Sequence, residues 1–236
     1  MRALLVVLAA CANTTGGDLI TLPFQAGGTQ LAPFTTPTGW IVTLDQAVIA
    51  VGPFYFNVDP PSTDEFRSGV VVVQATEQTI VDALDPTLND VGGGANGETG
   101  SAVSVEIGLL APDSTNVADP DASNLAPGFA YASGTAVMGE ATVPFEGQIV
   151  VDQSLVTPTE PLADLQRIRG ADVALTFTPA AATLVLHVDP THWFDQSDFS
   201  QIATTGTWTV DTTFAAQLLE GVKGETGVYQ FDLIKE

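Results

Sequence analysis

The sequence predicts an all-β protein, an antiparallel β-sandwich of about nine or ten strands with two to four short helices. Segments rich in β-branched and aromatic residues are separated by turns that hold many of the 22 Gly and 15 Pro residues. Strand and helix patterns do not alternate as a parallel α/β fold requires. Hydrophobic residues make up 45% of the 236 residues, enough for one sizeable core. A closed β-barrel is the alternative architecture.

The N-terminal segment predicts a lipoprotein signal peptide over residues 1–10. A basic start is followed by an apolar run that is too short to cross a bilayer as a helix. The run ends in Leu-Ala-Ala-Cys, which resembles the lipobox of bacterial lipoproteins, and Cys11 is the only cysteine of the chain. The alternative is a buried N-terminal strand.

The lipobox resemblance implies that Cys11 is acylated and anchors the protein to a membrane. Each buried CH2 of an acyl chain contributes about 0.8 kcal/mol to such anchoring. Because Ala12 and not Asp follows the cysteine, the resemblance also implies export to the outer membrane. Residues 11–17 are then a flexible tether, and residues 18–236 form a single sandwich domain.

Alternation of side chains and turn residues place the other elements. Residues 25–39 and 89–100 are predicted loops because they are rich in Gly, Pro or polar residues. Short helices are predicted over 77–84, 162–168 and 212–221, the last with Asp211 as its N-cap. The predicted strands span residues 18–24, 39–57, 69–76, 101–110, 128–138, 141–152, 172–178, 183–189 and 227–234.

The longest predicted strand covers residues 39–57. Its inward-facing residues change phase near Asp45-Gln46, which predicts a β-bulge. The aromatic triplet 54–56 is predicted to join the core, with a ligand platform as the alternative. The two inward-facing sets are Trp40, Val42 and Leu44, and then Ala47, Ile49 and Val51.

Four further expectations concern pairing and orientation. Strands 128–138 and 141–152 should form a hairpin that turns near Gly139-Glu140. Strands 172–178 and 183–189 should pair with each other, and the last strand should lie centrally in its sheet. The strand over 101–110 should turn four residues inward, namely Val103, Val105, Ile107 and Leu109.

The charge balance excludes nucleic acid as a partner, because 28 acidic residues face only 6 basic ones. Three explanations remain for the acidity: solubility in a salty medium, collection of divalent cations such as calcium, or a basic partner. Because the acids are scattered, we favour the first. Arg167 and Arg169 are interpreted as salt-bridge partners of this surface, with recognition of a carboxylate ligand as the alternative.

Residues 183–200 hold both histidines of the chain and form the strongest candidate site. A strand should end at Pro190, and Asp189 or Thr191 should cap the helical turn that follows. Imidazoles and carboxylates that converge there would suit zinc, copper or non-haem iron. Alternatively, Trp193 and its aromatic neighbours close one end of a sheet and the polar residues are solvated. The candidate ligands are His187, His192, Asp189 and Asp195.

A second, weaker metal candidate lies in the loop over residues 111–126. Asp119, Asp121 and Asn124 supply the oxygen ligands that calcium prefers. The full calcium-loop pattern is missing, so a solvated turn is the alternative interpretation.

Three stretches, together with the lipobox, are similar to a group of uncharacterised surface lipoproteins of myxobacteria and related bacteria. They are GWIVTLDQAVIAVGPFYF, VDPTHWFDQSDF and GVYQFDLI. Some members carry His- or Cys-rich insertions after the Gly-Pro-aromatic strand, whereas the loop over residues 57–68 here contains neither residue type. The resemblance implies a cell-envelope location and implies no activity.

Three function hypotheses follow. The first is a non-enzymatic envelope lipoprotein, a binding or structural sandwich that needs no cofactor and whose partners are the membrane and an unknown envelope protein or ligand. The second is a periplasmic zinc- or copper-binding protein that uses the two histidines. The third is a hydrolase that acts on glycans with two carboxylates. Neither a G-x-S-x-G nor an H-E-x-x-H motif is present, so the third has the least support.

Overall fold

Three β-sheets form the framework of the described chain, as a computed structural model shows. The structure describes residues 16–60, 69–112, 125, 127–152, 162–224 and 226–235. In these ranges the predicted all-β, largely antiparallel fold is confirmed, as is a small complement of short helices. The alternative architecture, a closed barrel, is not formed by the described strands, since every sheet is open.

The described residues form fifteen strands, more than the nine or ten predicted, because several short segments also join the sheets. The helices are α1 (Leu162–Leu165), α2 (Thr213–Val222), a first 3-10 helix (Pro190–Phe194) and a second 3-10 helix (Phe199–Ile202). The strands are β1 (Leu19–Leu22), β2 (Phe24–Gly27), β3 (Phe34–Thr35), β4 (Ile41–Val51), β5 (Phe54–Asn57), β6 (Val71–Ala75), β7 (Thr79–Asp82), β8 (Asn89–Asp90), β9 (Ala95–Glu98), β10 (Gly100–Gly108), β11 (Ala130–Met138), β12 (Ala141–Ile149), β13 (Arg167–Phe177), β14 (Ala182–Val188) and β15 (Tyr229–Lys235).

The strand order differs in each sheet. The first sheet has the order β1-β9-β6-β5-β10-β13, and the third sheet has the order β15-β14-β2-β8. The second sheet has the order β12-β11-β4-β3, and β7 pairs with the remaining part of β4. All pairs are antiparallel except β14 with β2. The chain therefore passes repeatedly between sheets, which ties them into one fold.

The predicted bulge in the longest strand is confirmed. Gln46 pairs with Ser133 and Leu44 pairs with Gly134, so Asp45 is the extra residue in β4. Val42 lies on the buried side before the bulge, and Ala47 lies there after it. The bulge thus keeps both halves of an eleven-residue strand facing the core.

Aromatic rings fill the space between the first and third sheets. Phe54 of β5 contacts Phe24 of β2 edge-on at 5.1 Å between ring centroids. Phe56, also in β5, contacts Phe231 of β15 at 5.2 Å and Phe177 of β13 at 5.7 Å. Phe54 and Phe56 are fully buried, which confirms the core interpretation for these two residues of the aromatic triplet, whereas Tyr55 between them is half-buried.

A second aromatic cluster covers the second sheet. Phe199 lies at its centre, with no exposed surface. Its ring centroid lies 4.9 Å from that of Phe145, 5.3 Å from that of Phe214 and 5.5 Å from that of Trp40. Phe194 stacks on the same ring at 5.9 Å. The two 3-10 helices and α2 are therefore held against the sheet by aromatic packing.

The outer edge of β12 is occupied by other groups of the chain. Pro144 has no N–H to offer there. The N–H of Glu146 donates to the carbonyl oxygen of Gly206 at 2.9 Å. The indole N–H of Trp208 donates to the carbonyl oxygen of Gln148 at 2.8 Å. The turn that follows the second 3-10 helix thereby covers this edge of the second sheet.

Three local assignments were wrong because strands form where the local sequence looks helical or irregular. Residues 25–39 were predicted to be a loop, but they contain most of β2 and all of β3. Residues 77–84 were predicted to be a helix, but β7 forms there and pairs with β4, whose backbone groups need partners on that side. Residues 89–100 were predicted to be a loop, but they contain β8 and β9. Gly97 suits β9 because a Cβ there would lie 2.1 Å from the carbonyl oxygen of Val72.

Two further expectations about pairing were wrong. β13 and β14 do not pair with each other, because β13 joins β10 in the first sheet and β14 joins β15 and β2 in the third. The last strand, β15, lies at the end of the third sheet and not at its centre. The hairpin of β11 and β12 is confirmed, and Gly139 in its turn has a φ of 61°.

Two side-chain assignments were also wrong. Val103 was predicted to face inward but is 42% exposed, because the register of β10 shifts between Ala102 and Ser104. The N-cap of α2 is Thr212 and not Asp211: the Thr212 hydroxyl accepts a hydrogen bond from the N–H of Ala215. The Asp211 carboxylate instead accepts from Thr209 at 2.5 Å, and this hydrogen bond lowers the pKa of Asp211.

Arg167 and Arg169 form salt bridges, as predicted. Arg167 contacts Glu106 at 3.1 Å and Asp164 at 2.9 Å, and Arg169 contacts Asp164 at 3.6 Å. Burial alone would lower the pKa of Arg167, but the hydrogen bonds and charges of Asp164 and Glu106 raise it overall. Lys223 adds a hydrogen bond to the carbonyl oxygen of Asp164 at 3.2 Å. These contacts fix α1 and the start of β13 to the end of α2.

Tyr229 should make the fold sensitive to alkaline pH. Its hydroxyl donates to the carbonyl oxygen of Val222 at 3.1 Å, and burial raises the pKa of Tyr229 above the value of 10.0 for a free side chain. A raised pKa stabilises the fold fully below about pH 10 and ceases to do so as pH rises further. We therefore expect the free energy of unfolding to fall above about pH 10, as measured by urea unfolding across pH.

The control variant is Tyr229→Phe. It removes one buried hydrogen bond and should lower the free energy of unfolding at neutral pH by about 1 kcal/mol. Its alkaline decline should be shallower than that of the native chain. An unchanged slope would show that Tyr229 is not the group responsible.

Candidate functional site

The strand that carries His187 is buried on both faces. β14 lies between β15 and β2, and Val185 and Leu186 have no exposed surface. His187 is half-buried near the end of the strand, opposite Gln230 on one side and Gly27 on the other. The predicted strand over residues 183–189 is thus confirmed, and His187 lies near its end.

Asp189 acts as the predicted cap of the turn that follows. One oxygen of its carboxylate accepts hydrogen bonds from the N–H of Thr191 at 2.9 Å and from its hydroxyl at 2.7 Å. Pro190, which follows the cap, opens the first 3-10 helix and has no N–H to leave unpaired. This carboxylate therefore has a structural role, which sequence spacing predicted.

His192 and Asp195 form a surface pair. The Nδ1 atom of His192 lies 2.9 Å from a carboxylate oxygen of Asp195, and the two side chains are 45% and 40% exposed. Exposed pairs of this kind contribute about 0–1 kcal/mol to stability. The pair forms because the two residues are three apart on one turn of helix.

Gly227 supports the other side of the His192 ring. An ideal Cβ at Gly227 would lie 2.8 Å from the Nε2 atom of His192, and the φ angle of Gly227 is 85°. The positive φ angle favours glycine at this position, and a Cβ there would displace the imidazole. The loop before β15 therefore packs directly on the imidazole.

Of the four predicted metal ligands, the structure brings only two into contact with each other. His192 and Asp195 meet, while Asp189 turns back onto its own helix. In the ranges described by the structure, no three His, Cys, Asp or Glu side chains are placed to hold a metal ion together. Cys11 and the calcium candidates Asp119, Asp121 and Asn124 lie outside those ranges. Zinc, copper and calcium binding stay predictions.

Elemental analysis of residues 12–236, purified without chelator, tests the transition-metal prediction. Stoichiometric zinc, copper or iron in the native sequence should disappear in a His187→Ala/His192→Ala double variant if the histidines are ligands. Absence of these metals from both proteins would contradict the prediction. Calcium in both would direct attention to the acidic loops.

A cleft of about 380 Å³ on the second sheet contains a pair of carboxylates that sequence reasoning missed. Asp45 at the bulge of β4 and Glu146 of β12 both line it, together with Ser133, Thr135 and Thr205. Ser133 is paired with Glu146 across β11 and β12, and with Gln46, the neighbour of Asp45, across β4. Only the register of three strands brings these residues together, so no local pattern could have indicated the cleft.

No helix of the described residues is long and apolar enough to cross a membrane. Comparison with protein-family models gives no match, and no curated protein matches the chain. Among solved structures, MbnP from Methylosinus trichosporium is similar in fold, with a TM-score of 0.43 and 10% identity. That likeness covers 92% of this chain and 98% of the other.

Proposed function

We propose that the protein is a non-enzymatic binding or structural β-sandwich that acylated Cys11 holds at the outer membrane of a bacterial cell envelope. The observation that carries this proposal is the position of the single cysteine relative to the fold. Cys11 completes the lipobox-like tetrapeptide, and Asp18, seven positions later, is hydrogen-bonded into the described fold.

The start of the folded domain supports the proposed division of the chain. The N–H of Asp18 donates to the Thr99 hydroxyl at 2.9 Å, and the carbonyl oxygen of Asp18 accepts from the N–H of Thr99 at 2.8 Å. β1 then pairs with β9 from Leu19 onward. The described pairing of the first sheet thus includes residues from 19 onward, which is compatible with the proposed use of residues 11–17 as a tether.

The structural contacts of the candidate side chains support the non-enzymatic part of the proposal. Asp189 caps a turn, His192 pairs with Asp195 at the surface, and Arg167 joins a structural ion-pair cluster. Each of these polar groups thus has a local structural partner. The likeness to myxobacterial surface lipoproteins adds a cell-envelope setting to the same proposal.

Replacing Cys11 tests the anchor directly. The full chain is expressed in a Gram-negative host that is supplied with a clickable fatty acid, and the membrane fraction is collected. We expect the native chain to carry the label and to sediment with membranes. Cys11→Ser should lose both the label and the sedimentation, because serine offers no thiol for acylation. Equal labelling of the two chains would contradict the proposal.

A second variant tests the destination. By the lipobox resemblance, Ala12→Asp should leave acylation intact and move the protein from the outer to the inner membrane on a density gradient. This variant is a matched control for Cys11→Ser because it changes the adjacent residue and keeps the cysteine. If both chains stay in the inner membrane, the outer-membrane part of the proposal is wrong.

A further inference from the structure

An uncharged groove of about 290 Å³ runs along β1, where the described chain begins. Residues 19–23 line one side of the groove, and residues 178–182, the turn between β13 and β14, line the other. None of these residues carries a charge, although the chain contains 28 acidic residues. The lining of the groove therefore lacks the acidic side chains that dominate the charge of the chain.

Apolar groups project from this part of the surface. Leu19 is 85% exposed, the highest value among the exposed large hydrophobic residues of the described chain. Pro23, Pro179 and Ala180 are exposed beside the groove. Moving such a surface of exposed leucine, proline and alanine from water into a partially apolar medium lowers its free energy.

Charged residues border the groove without entering it. Asp18 precedes Leu19, Glu98 lies opposite Leu19 in the strand register, and Lys235 lies opposite Ala182. Ionised groups at the border are costly to move into hydrocarbon. They are compatible with the hydrated headgroup layer of a bilayer, so contact with a membrane is limited to that layer.

The length of the tether fixes which side of the domain lies near the membrane. This step rests on the proposed acylation of Cys11. Seven residue-to-residue steps lead from Cys11 to Asp18, and at about 3.5 Å per step they reach at most about 25 Å. A domain of about 220 residues is roughly 44 Å across if its radius of gyration is about 17 Å. The edge that carries β1 must therefore stay close to the bilayer.

We propose that the groove face, defined by residues 19–23 and 178–182, docks on the headgroup layer of a bilayer without net charge. The position of this face beside the tether selects it for contact with the membrane. Because its lining carries no charge, it also avoids the repulsion that acidic side chains experience from anionic lipids. Leu19 is the principal contact because it is the most exposed apolar side chain at this edge.

Lipid attached chemically to Cys11 allows a test that does not depend on acylation in cells. The chain over residues 11–236 is coupled through its one cysteine to a maleimide-bearing lipid and inserted into phosphatidylcholine vesicles that contain headgroup-labelled nitroxide lipid. An environment-sensitive fluorescent amino acid replaces Ala180 in one sample. In the control sample it replaces Glu140, which is exposed in the hairpin turn of the second sheet.

We expect several-fold stronger quenching of the fluorophore at position 180 than of that at position 140. Leu19→Asp should reduce the quenching at position 180 at least twofold, while Leu19→Ile should preserve it. Circular dichroism checks that the variants keep the fold. We expect that they do, because the Leu19 side chain is 85% exposed and its replacement removes little buried contact.

Equal quenching at the two positions, or quenching at position 180 that does not respond to Leu19→Asp, would overturn the docking proposal. Such a result leaves the proposed anchoring of Cys11 untouched, because that is measured by fatty-acid labelling in cells. Conversely, a chain that is not acylated in cells still gives a clear result with the coupled lipid.

Discussion

Replacing Phe199 with alanine is expected to lower the free energy of unfolding by about 3–5 kcal/mol. The side chain is fully buried and contacts four aromatic rings of the cluster over the second sheet. Alanine would leave a cavity whose walls belong to a 3-10 helix, α2 and the sheet itself. Because these walls are large rings held by backbone on three elements, they cannot collapse to fill the space. Urea unfolding followed by tryptophan fluorescence measures the loss.

Phe34→Ala is the matched control for this cavity. Phe34 is only half-buried, and its ring centroid lies 6.2 Å from that of Phe194 at the margin of the same cluster. The same chemical change should therefore cost clearly less, about 1 kcal/mol. Equal losses for the two variants would show that the cluster is not centred on Phe199.

Replacing Gly221 with alanine is expected to destabilise the protein by about 3 kcal/mol. Gly221 lies in α2 and faces the backbone of the first 3-10 helix. An ideal Cβ would lie 2.2 Å from the carbonyl oxygen of Trp193 and 2.8 Å from that of His192. These atoms are backbone, so α2 must move away from the 3-10 helix to make room. The same substitution at an exposed helix position usually stabilises a protein by about 1 kcal/mol.

The reverse substitution in the same helix separates the two effects. Ala216 is exposed on α2, and Ala216→Gly should cost about 1 kcal/mol through helix propensity alone. A rise in the free energy of unfolding for Gly221→Ala would refute the close approach of α2 to the 3-10 helix. Near-ultraviolet circular dichroism should change for Gly221→Ala and not for Ala216→Gly, because Trp193 lies at the contact.

Local patterns predicted the parts of the fold that depend on neighbouring residues. The phase change near Asp45 indicated the bulge because two inward-facing sets were offset within one strand. Gly139 marked the hairpin turn because its conformation is one that glycine adopts without strain. In both cases the information lies within a few residues of the feature.

Long-range pairing was not accessible in the same way. Residues 79–82 form β7 because β4 has unpaired backbone groups there, and nothing within β7 records that requirement. Likewise β13 and β14 are adjacent in the chain but belong to different sheets. Only the positions of distant strands decide these outcomes.

The candidate site shows the same division. The cap at Asp189 and the pairing of His192 with Asp195 depend on spacings of two and three residues, which the sequence displays directly. The carboxylates of Asp45 and Glu146 share a cleft only because three strands are in register. In a chain with 28 acidic residues, no single pair could have been selected in advance.

The covered edge of β12 bears on how neighbouring molecules behave when they are crowded. A long strand with free N–H and C=O groups is a template on which another chain can polymerise. Here Pro144, the turn at Gly206 and the indole of Trp208 occupy that template from within the same molecule. Copies meet more often when they are crowded than in dilute solution, and such encounters find these positions of β12 already occupied. The contacts therefore disfavour fibril growth through this edge of the second sheet.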